Sequence, residues 1–177
     1  MSQFDPDLIE VKMIVDDETI EKGDIYDIIE PARWMIDIYG NEETYKQGLK
    51  QFTESQKHVF SIYWYKYEVD NGGHSQFFHN FTGIVWKDVL KGFENLAFNE
   101  NAEILKSAVT KLGGSPSLDR RLRINQLNNS KVDFEKEDNE FYNVEKKVKL
   151  EDRLIEYIQK NKTNFYFAGN VMKPKGR

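Results

Sequence analysis

Apolar residues recur at spacings of three and four along most of the chain, which is the pattern of amphipathic helices. The pattern is clearest over residues 84–98, 99–114 and 150–162. It also covers residues 23–40, where Pro31 predicts either a kinked helix or two helices of which the second begins at the proline. The chain is therefore predicted to be all-α, a compact single-domain bundle of roughly eight helices.

Residues 59–69, VFSIYWYKYEV, fit both a strand and a helix. They are rich in residues that favour strands, and Asn71-Gly72 behind them is a hairpin signal. A strand of this length would be about twice the usual one, whereas apolar residues on nearly every side suit a central, buried helix. We favour a helix that ends at the two glycines, although the pattern alone leaves a hairpin open.

The two ends of the chain show no clear period. We expect residues 1–22 to form a partly ordered acidic arm and residues 168–177 to form a loose basic tail. Residues 23–167 would then form one domain, because no repeat of fixed period and no low-complexity linker divides them.

The composition is typical of a folded intracellular protein. Aromatic residues occupy 14% of the 177 positions, and these are the residues that disordered chains lack. The chain has no cysteine, which excludes disulfides, thiolate metal sites and cysteine nucleophiles. Neither a signal peptide nor a membrane-spanning apolar run is visible, so we expect a cytoplasmic protein without membrane contact.

Charge is distributed unevenly along the chain, whose net charge is −5. Residues 1–54 carry 14 acidic and 5 basic side chains, a net charge of −9, whereas residues 55–177 carry 16 and 20, a net charge of +4. An acidic protein is a poor candidate for direct binding of nucleic acid. The negative first third instead favours a basic protein partner.

Potential catalytic and metal-binding groups are sparse. The three histidines, His58, His74 and His79, lack the spacing of metal ligands, and we interpret them as polar surface or helix-edge residues. Ser75 and His79 have helical i, i+4 spacing, but no GxSxG motif accompanies them. The paired glycines lack the Lys-Ser/Thr of a P-loop. We expect no metal, no cofactor and no enzymatic activity.

Residues 63–83, YWYKYEVDNGGHSQFFHNFTG, resemble the signature of a bacterial domain family of unknown function that includes an acidic DNA-mimic protein. The similarity extends over roughly Phe52 to Phe167. The resemblance implies an all-helical fold, a non-enzymatic role and, as in the DNA-mimic member, a homodimer. The signature positions in this chain are Glu68, Val69, Asn71, Gly72, Gly73, Gln76, Phe77, Phe78, Asn80, Thr82 and Gly83.

We interpret this signature as scaffold. Gly72 and Gly73 would free the backbone for a tight corner between two apolar helices. Gln76 and Asn80 would hydrogen-bond the unpaired backbone groups at the helix ends, and the two phenylalanines after Gln76 would anchor the second helix in the core.

A DNA mimic needs closely spaced carboxylates, because the phosphates of duplex DNA are closely spaced. Carboxylates recur at every third position from Glu21 to Glu30 and would follow one helical face. The acidic surface that we predict to bind a protein consists of Asp17, Glu21, Asp24, Asp27, Glu30, Asp37, Glu42 and Glu43. A second acidic cluster consists of Asp133, Glu135, Glu137, Asp138 and Glu140. The chain also has a basic patch, which counts against mimicry because a DNA mimic presents negative charge. This patch consists of Arg120, Arg121 and Arg123.

Three functions stay open at this point. We favour a protein-interaction module that binds the DNA-binding face of a basic transcriptional regulator. The alternatives are a ligand-binding protein or enzyme, and an immunity-type protein that neutralises a toxin. The ligand pocket of the second alternative would lie at the Asn-Gly-Gly corner, lined by Glu68, His74, Gln76 and His79.

Overall fold

The computed structural model describes residues 7–175 and is mostly helical within them. The α-helices are α1 (Asp17–Lys22), α2 (Ile25–Ile28), α3 (Glu30–Met35), α4 (Glu42–Leu49), α5 (Glu54–His79), α6 (Trp86–Asn95), α7 (Asn99–Lys111), α8 (Arg120–Ser130), α9 (Glu135–Lys147) and α10 (Leu150–Lys160). Two 3-10 helices cover Phe81–Val85 and Lys162–Asn164. The predicted number of roughly eight helices was too low, since the described residues contain ten α-helices. None of these helices is long and apolar enough to cross a bilayer.

The prediction of an all-α protein missed a small sheet. Strand β1 (Leu8–Val15) pairs antiparallel with β2 (Phe167–Pro174), and Val11 lies opposite Val171. Strand β1 lies within the segment 1–22 that we predict to be an arm, and β2 covers most of the segment 168–177 that we predict to be a loose tail. The pairing joins the two ends of the chain, and no local pattern signals a partner at such a separation.

Helix α5 lies at the centre of the molecule, as its apolar surface predicts. Thr53 and Gln56 cap it reciprocally, with the Thr53 side chain on the Gln56 N–H and the Gln56 side chain on the Thr53 N–H. The Tyr65 ring is fully buried and packs edge to face against the rings of Phe77, Phe93 and Phe141. The distances between ring centroids are 5.1 to 5.7 Å. The helix reading of residues 59–69 is therefore confirmed.

The segment from Gly23 to Gly40 contains two short helices rather than one kinked helix. Asp24 caps α2, and Pro31 lies in the first turn of α3, which is the position that proline tolerates. Before them, Gly23 ends α1 with a left-handed backbone, φ 72°. The carboxylates from Glu21 to Glu30 are thus spread over three helices, and the prediction that they follow one helical face is wrong.

Candidate functional site

The Asn-Gly-Gly corner interrupts α5 without ending it. Gly72 (φ −164°, ψ 23°) and Gly73 (φ 69°, ψ −173°) leave helical geometry, and the chain resumes as a helix up to His79. The φ of Gly73 lies in the region that favours glycine. A Cβ on Gly73 would also lie 2.4 Å from Oδ2 of Asp138, so the position is closed to larger residues. The corner is a rigid kink, as the sequence predicts.

Glu68 is the polar centre of the corner. Its side chain is only 5% exposed, and its carboxylate accepts hydrogen bonds from Gln76 Nε2, Asn80 Nδ2 and Thr82 Oγ1, each at 2.8 Å. We had expected the amide side chains to bind backbone groups at the helix ends. They instead satisfy a buried carboxylate, which needs several donors when it leaves water.

Arg123 is the second buried charge beside the corner, and it is fully buried. Its guanidinium donates to the carbonyls of four residues at 2.7 to 3.1 Å, namely Phe78, Asn80, Ser117 and Leu118. Burial lowers its pKa to about 10. Arg123 therefore does not belong to the predicted basic surface patch, because its guanidinium points into the molecule towards these backbone carbonyls.

Asn80 connects the two buried charges. Its side-chain Nδ2 donates to Glu68, while its carbonyl accepts from Arg123 Nη2 at 2.8 Å. Gly83 makes room for this arrangement, since a Cβ there would lie 2.6 Å from Arg123 Nε. The signature residues from Glu68 to Gly83 are thus joined by internal contacts.

His74 is fully buried, and our expectation of a surface position is wrong. Its Nδ1 lies 2.6 Å from Asp138 Oδ1, and its Nε2 lies 2.7 Å from the hydroxyl of Tyr65. Burial raises the pKa of Tyr65. Burial alone would also raise the pKa of Asp138, but the hydrogen bonds from His74 outweigh it and hold that pKa below its usual value. His58 is buried as well, 4% exposed, and only His79 is a surface histidine.

The predicted ligand pocket at the corner is an open surface depression of about 340 Å³. Gln76 and His79 line it, but Glu68 and His74 do not, because both are buried and hydrogen-bonded inside the molecule. No group of three His, Asp or Glu side chains suited to a metal occurs within residues 7–175.

The acidic surface lies on α1 to α4 and the turns between them. Several of its carboxylates form ion pairs: Asp17 and Glu21 with Lys162, Glu30 with Lys173, and Glu42 with Lys46. Four exposed carboxylates form no ion pair within the described residues, namely Asp24, Asp27, Asp37 and Glu43.

Two of these four carboxylates are held by the backbone. Asp24 accepts from the N–H of Tyr26 at 2.8 Å, and Asp37 accepts from the N–H groups of Tyr39 and Gly40 at 2.9 Å. Asp27 lines a groove of about 250 Å³ together with residues 11–15 of β1, Glu30 and Lys173. The surface thus presents Asp24 and Asp37 in fixed positions and Asp27 next to the strand.

The second acidic cluster is partly internal. Glu137 is fully buried and accepts from Ser107 Oγ at 2.7 Å and from Lys111 Nζ at 2.6 Å. Asp138 is occupied by His74. These contacts span 26 to 64 positions, so no local signal in the sequence could have identified them.

Comparison with known proteins gives one match. The family model described as DMP19-like protein matches residues 50–161, which contain the whole signature and none of the acidic surface. No curated protein and no solved structure matches the chain. Since the matched residues make up more than half of its length, the chain belongs to the DMP19-like protein family.

Proposed function

We propose that this protein is a non-enzymatic interaction module whose acidic surface binds the DNA-binding face of a basic protein in place of DNA. The basic protein that would bind this surface is a DNA-binding regulator. The proposal rests above all on the four exposed carboxylates Asp24, Asp27, Asp37 and Glu43, which no basic side chain of the described residues neutralises.

Unpaired carboxylates are what a protein needs in order to compete with DNA. Duplex DNA presents one negative charge per about 1.7 Å of its axis, and its partners bind it through clustered Lys and Arg. A carboxylate already paired with a lysine offers little to such a partner, whereas an unpaired one offers its full charge. Because Asp24 and Asp37 are held by backbone N–H groups, less side-chain freedom is lost on binding.

The hydrogen bonds inside the Asn-Gly-Gly corner also support a function at the protein surface. The polar groups of Glu68, His74 and Asn80 are engaged with one another or with Asp138, Tyr65 and Arg123. These internal contacts stabilise the kink of α5. The polar groups that make them are not available to bind a ligand, so we place the binding function on the surface of the protein. This reading favours the interaction module over a ligand-binding protein at the corner.

The acidic surface lies entirely outside the family match at residues 50–161. We therefore infer that the scaffold is common to the family, whereas the choice of partner depends on the N-terminal third of this chain.

The test is capture of a partner and its displacement by duplex DNA. Wild-type protein should bind a basic DNA-binding protein, and duplex DNA and rising salt should both weaken the complex. The test variant carries Asp24→Asn, Asp27→Asn, Asp37→Asn and Glu43→Gln, in which asparagine keeps the backbone hydrogen bonds at the capping positions. We expect it to bind at least about tenfold more weakly.

A matched control removes the same number of charges from exposed positions elsewhere. It carries Glu100→Gln, Glu103→Gln, Asp152→Asn and Glu156→Gln. This control should bind like the wild type. The proposal is wrong if both variants bind equally, or if duplex DNA does not compete for the partner.

A further inference from the structure

A pocket lined by three tyrosines lies where α2, α5 and α10 meet, and we call it the tyrosine pocket. Tyr63 and Tyr67 lie one turn apart on α5, and the centroid of the Tyr26 ring is 6.5 Å from that of Tyr63. Tyr26 and Tyr67 are exposed, so a partner can reach them. The hydroxyl groups of all three tyrosines form no hydrogen bond within residues 7–175.

The size of the tyrosine pocket indicates what it can hold. Its volume is about 260 Å³, whereas pockets for small molecules usually measure about 300 to 1,000 Å³. The buried side chains of Ile25 and Leu154 also line it, and the methylene groups of a long side chain can pack against them. The pocket is therefore suited to one long side chain rather than to a cofactor.

The charged groups of the tyrosine pocket are mainly acidic. Asp24 and Glu151 are exposed and form no ion pair within the described residues. Lys66 is the one basic residue among the described residues of the lining. It is neutralised by an ion pair with Asp70 and by a second one with Glu145 at 3.5 Å. The pocket therefore has a negative potential, which favours a cation.

A guanidinium group already lies on one of the three rings. The central guanidinium carbon of Arg33 is 3.5 Å from the centroid of the Tyr26 ring, which is a cation–π contact within the molecule. Arg33 itself is not part of the pocket lining. If its charge is counted as well, the four carboxylates in and beside the pocket still outnumber the two bases, so the potential stays negative.

We propose that the tyrosine pocket binds an arginine side chain of the basic partner, with its guanidinium among the tyrosine rings and paired with Asp24 and Glu151. A guanidinium stacks on aromatic rings, and its N–H groups can donate to carboxylates and to free hydroxyls at the same time. The ammonium of lysine is a compact, strongly hydrated charge without a planar surface. DNA-binding proteins contact phosphates through arginines, and the pocket would hold one of these in place of a phosphate.

This inference rests on the proposed function, since it names the group by which the partner is held. The pocket combines two parts of the chain. Asp24 and Tyr26 belong to the N-terminal third, whereas Tyr63, Tyr67 and Glu151 lie within the family match at residues 50–161. The arginine would therefore bind at the boundary between the acidic surface and the family scaffold.

Ethylguanidinium, the end of an arginine side chain, is the probe for the first test. It is titrated into the full chain at low salt, and the isotope-labelled tyrosine rings are followed by nuclear magnetic resonance. The ring signals of Tyr63 and Tyr67 should shift to saturation. The uncharged analogue ethylurea should leave them unchanged, and ethylammonium should shift them less. Tyr39 is exposed and packs against Phe81 instead, so its ring is the internal control and should not respond.

Two variants test the lining of the pocket separately. Tyr67→Leu removes an exposed ring and Glu151→Gln removes an unpaired charge, and each should weaken the binding of ethylguanidinium at least about threefold. The matched controls are Tyr39→Leu and Asp152→Asn. Asp152 follows Glu151 in the first turn of α10 but lies outside the lining of the tyrosine pocket. Both controls should bind the probe like the wild type.

The same variants separate this inference from the proposed function, because neither Tyr67 nor Glu151 belongs to the four carboxylates tested there. Tyr67→Leu should also weaken the complex with the captured partner at least about threefold. A partner that duplex DNA displaces but that binds Tyr67→Leu at full strength overturns the arginine pocket and leaves the proposed function standing. The lack of any partner that DNA displaces overturns the proposed function, and the titration with ethylguanidinium then still decides on the pocket.

The titration overturns the inference in either of two ways. The rings of Tyr63 and Tyr67 do not respond to ethylguanidinium, or they respond equally to ethylurea or to ethylammonium. Saturable shifts that require both the charge and the plane of the guanidinium support it.

Discussion

His74 and Asp138 are separated by 64 positions, yet the backbone N and the ring Nδ1 of His74 lie 2.8 and 2.6 Å from the same oxygen of Asp138. A carboxylate oxygen accepts, so Nδ1 donates to Asp138, and in the neutral imidazole Nε2 then accepts from the hydroxyl of Tyr65. The contact ties α9 to the second half of α5, immediately after the kink. The corner is therefore held by a distant helix as well as by its own glycines.

The first prediction concerns this contact. Asp138→Ala should lower the free energy of unfolding by about 2 kcal/mol, because it leaves the N–H and the buried ring nitrogen of His74 without an acceptor. Urea denaturation followed by circular dichroism measures the effect. Glu135→Ala, an exposed change in the first turn of the same helix, is the control. Equal losses in the two variants would show that the contact does not stabilise the fold.

The second prediction is a dependence on acid pH. The pKa of Asp138 is lowered from its ordinary value of 3.8, so its stabilising effect is present above that pH and is lost as the pH falls through the folded-state pKa. The free energy of unfolding should therefore fall below about pH 4, and less steeply in Asp138→Asn than in the wild type. Denaturation series at several acid pH values compare the two slopes. Parallel slopes would contradict the lowered pKa.

Periodicity located most helices, because a buried helix face leaves a local pattern in the sequence. The central position of α5 and the entry of α3 at Pro31 followed from it. The pairing of β1 with β2 did not, because it joins residues at the two ends of the chain.

The candidate site was also predictable from the sequence only in part. The acidic composition of residues 1–54 was visible in the sequence, as was the scaffold role of the double glycine. The partners of Glu68, His74 and Arg123 were not visible, since a buried charge is recognised only when its distant acceptors and donors are placed. Geometry alone shows which carboxylates are neutralised internally.

The third prediction compares two glycines with positive φ. A Cβ atom added to Gly73 (φ +69°) would collide with the carboxylate of Asp138. A Cβ atom added to Gly113 (φ +85°) would have open space around it, with no neighbouring atom within 4 Å. Gly113→Ala should cost about 1 kcal/mol of stability, from backbone strain alone. Gly73→Ala adds a steric conflict with the carboxylate and should cost several times as much. Thermal denaturation of both variants checks the order, and a Gly73 variant no less stable than the Gly113 variant would contradict it.

The fourth prediction concerns the buried carboxylate of Glu68. In Glu68→Gln, one oxygen becomes an NH₂ group that faces the donors Gln76, Asn80 or Thr82. If the NH₂ group faces Gln76 and Asn80, both donors lose their acceptor. If it faces Thr82, the hydroxyl turns to accept from it, and the uncharged amide oxygen holds Gln76 and Asn80 more weakly than a carboxylate does. We expect a loss of about 1 kcal/mol or more in the free energy of unfolding, measured by urea denaturation.

Asp70→Asn is the matched control for this change. Asp70 lies two residues further along α5 and is exposed, and its ion pair with Lys66 is at the surface, where such pairs contribute little. Its loss of stability should stay within about 0.5 kcal/mol of the wild type. If Glu68→Gln is as mild as the control, the carboxylate is not what holds the corner. The kink would then depend on its two glycines, on the contact between His74 and Asp138, and on the apolar packing around Phe77.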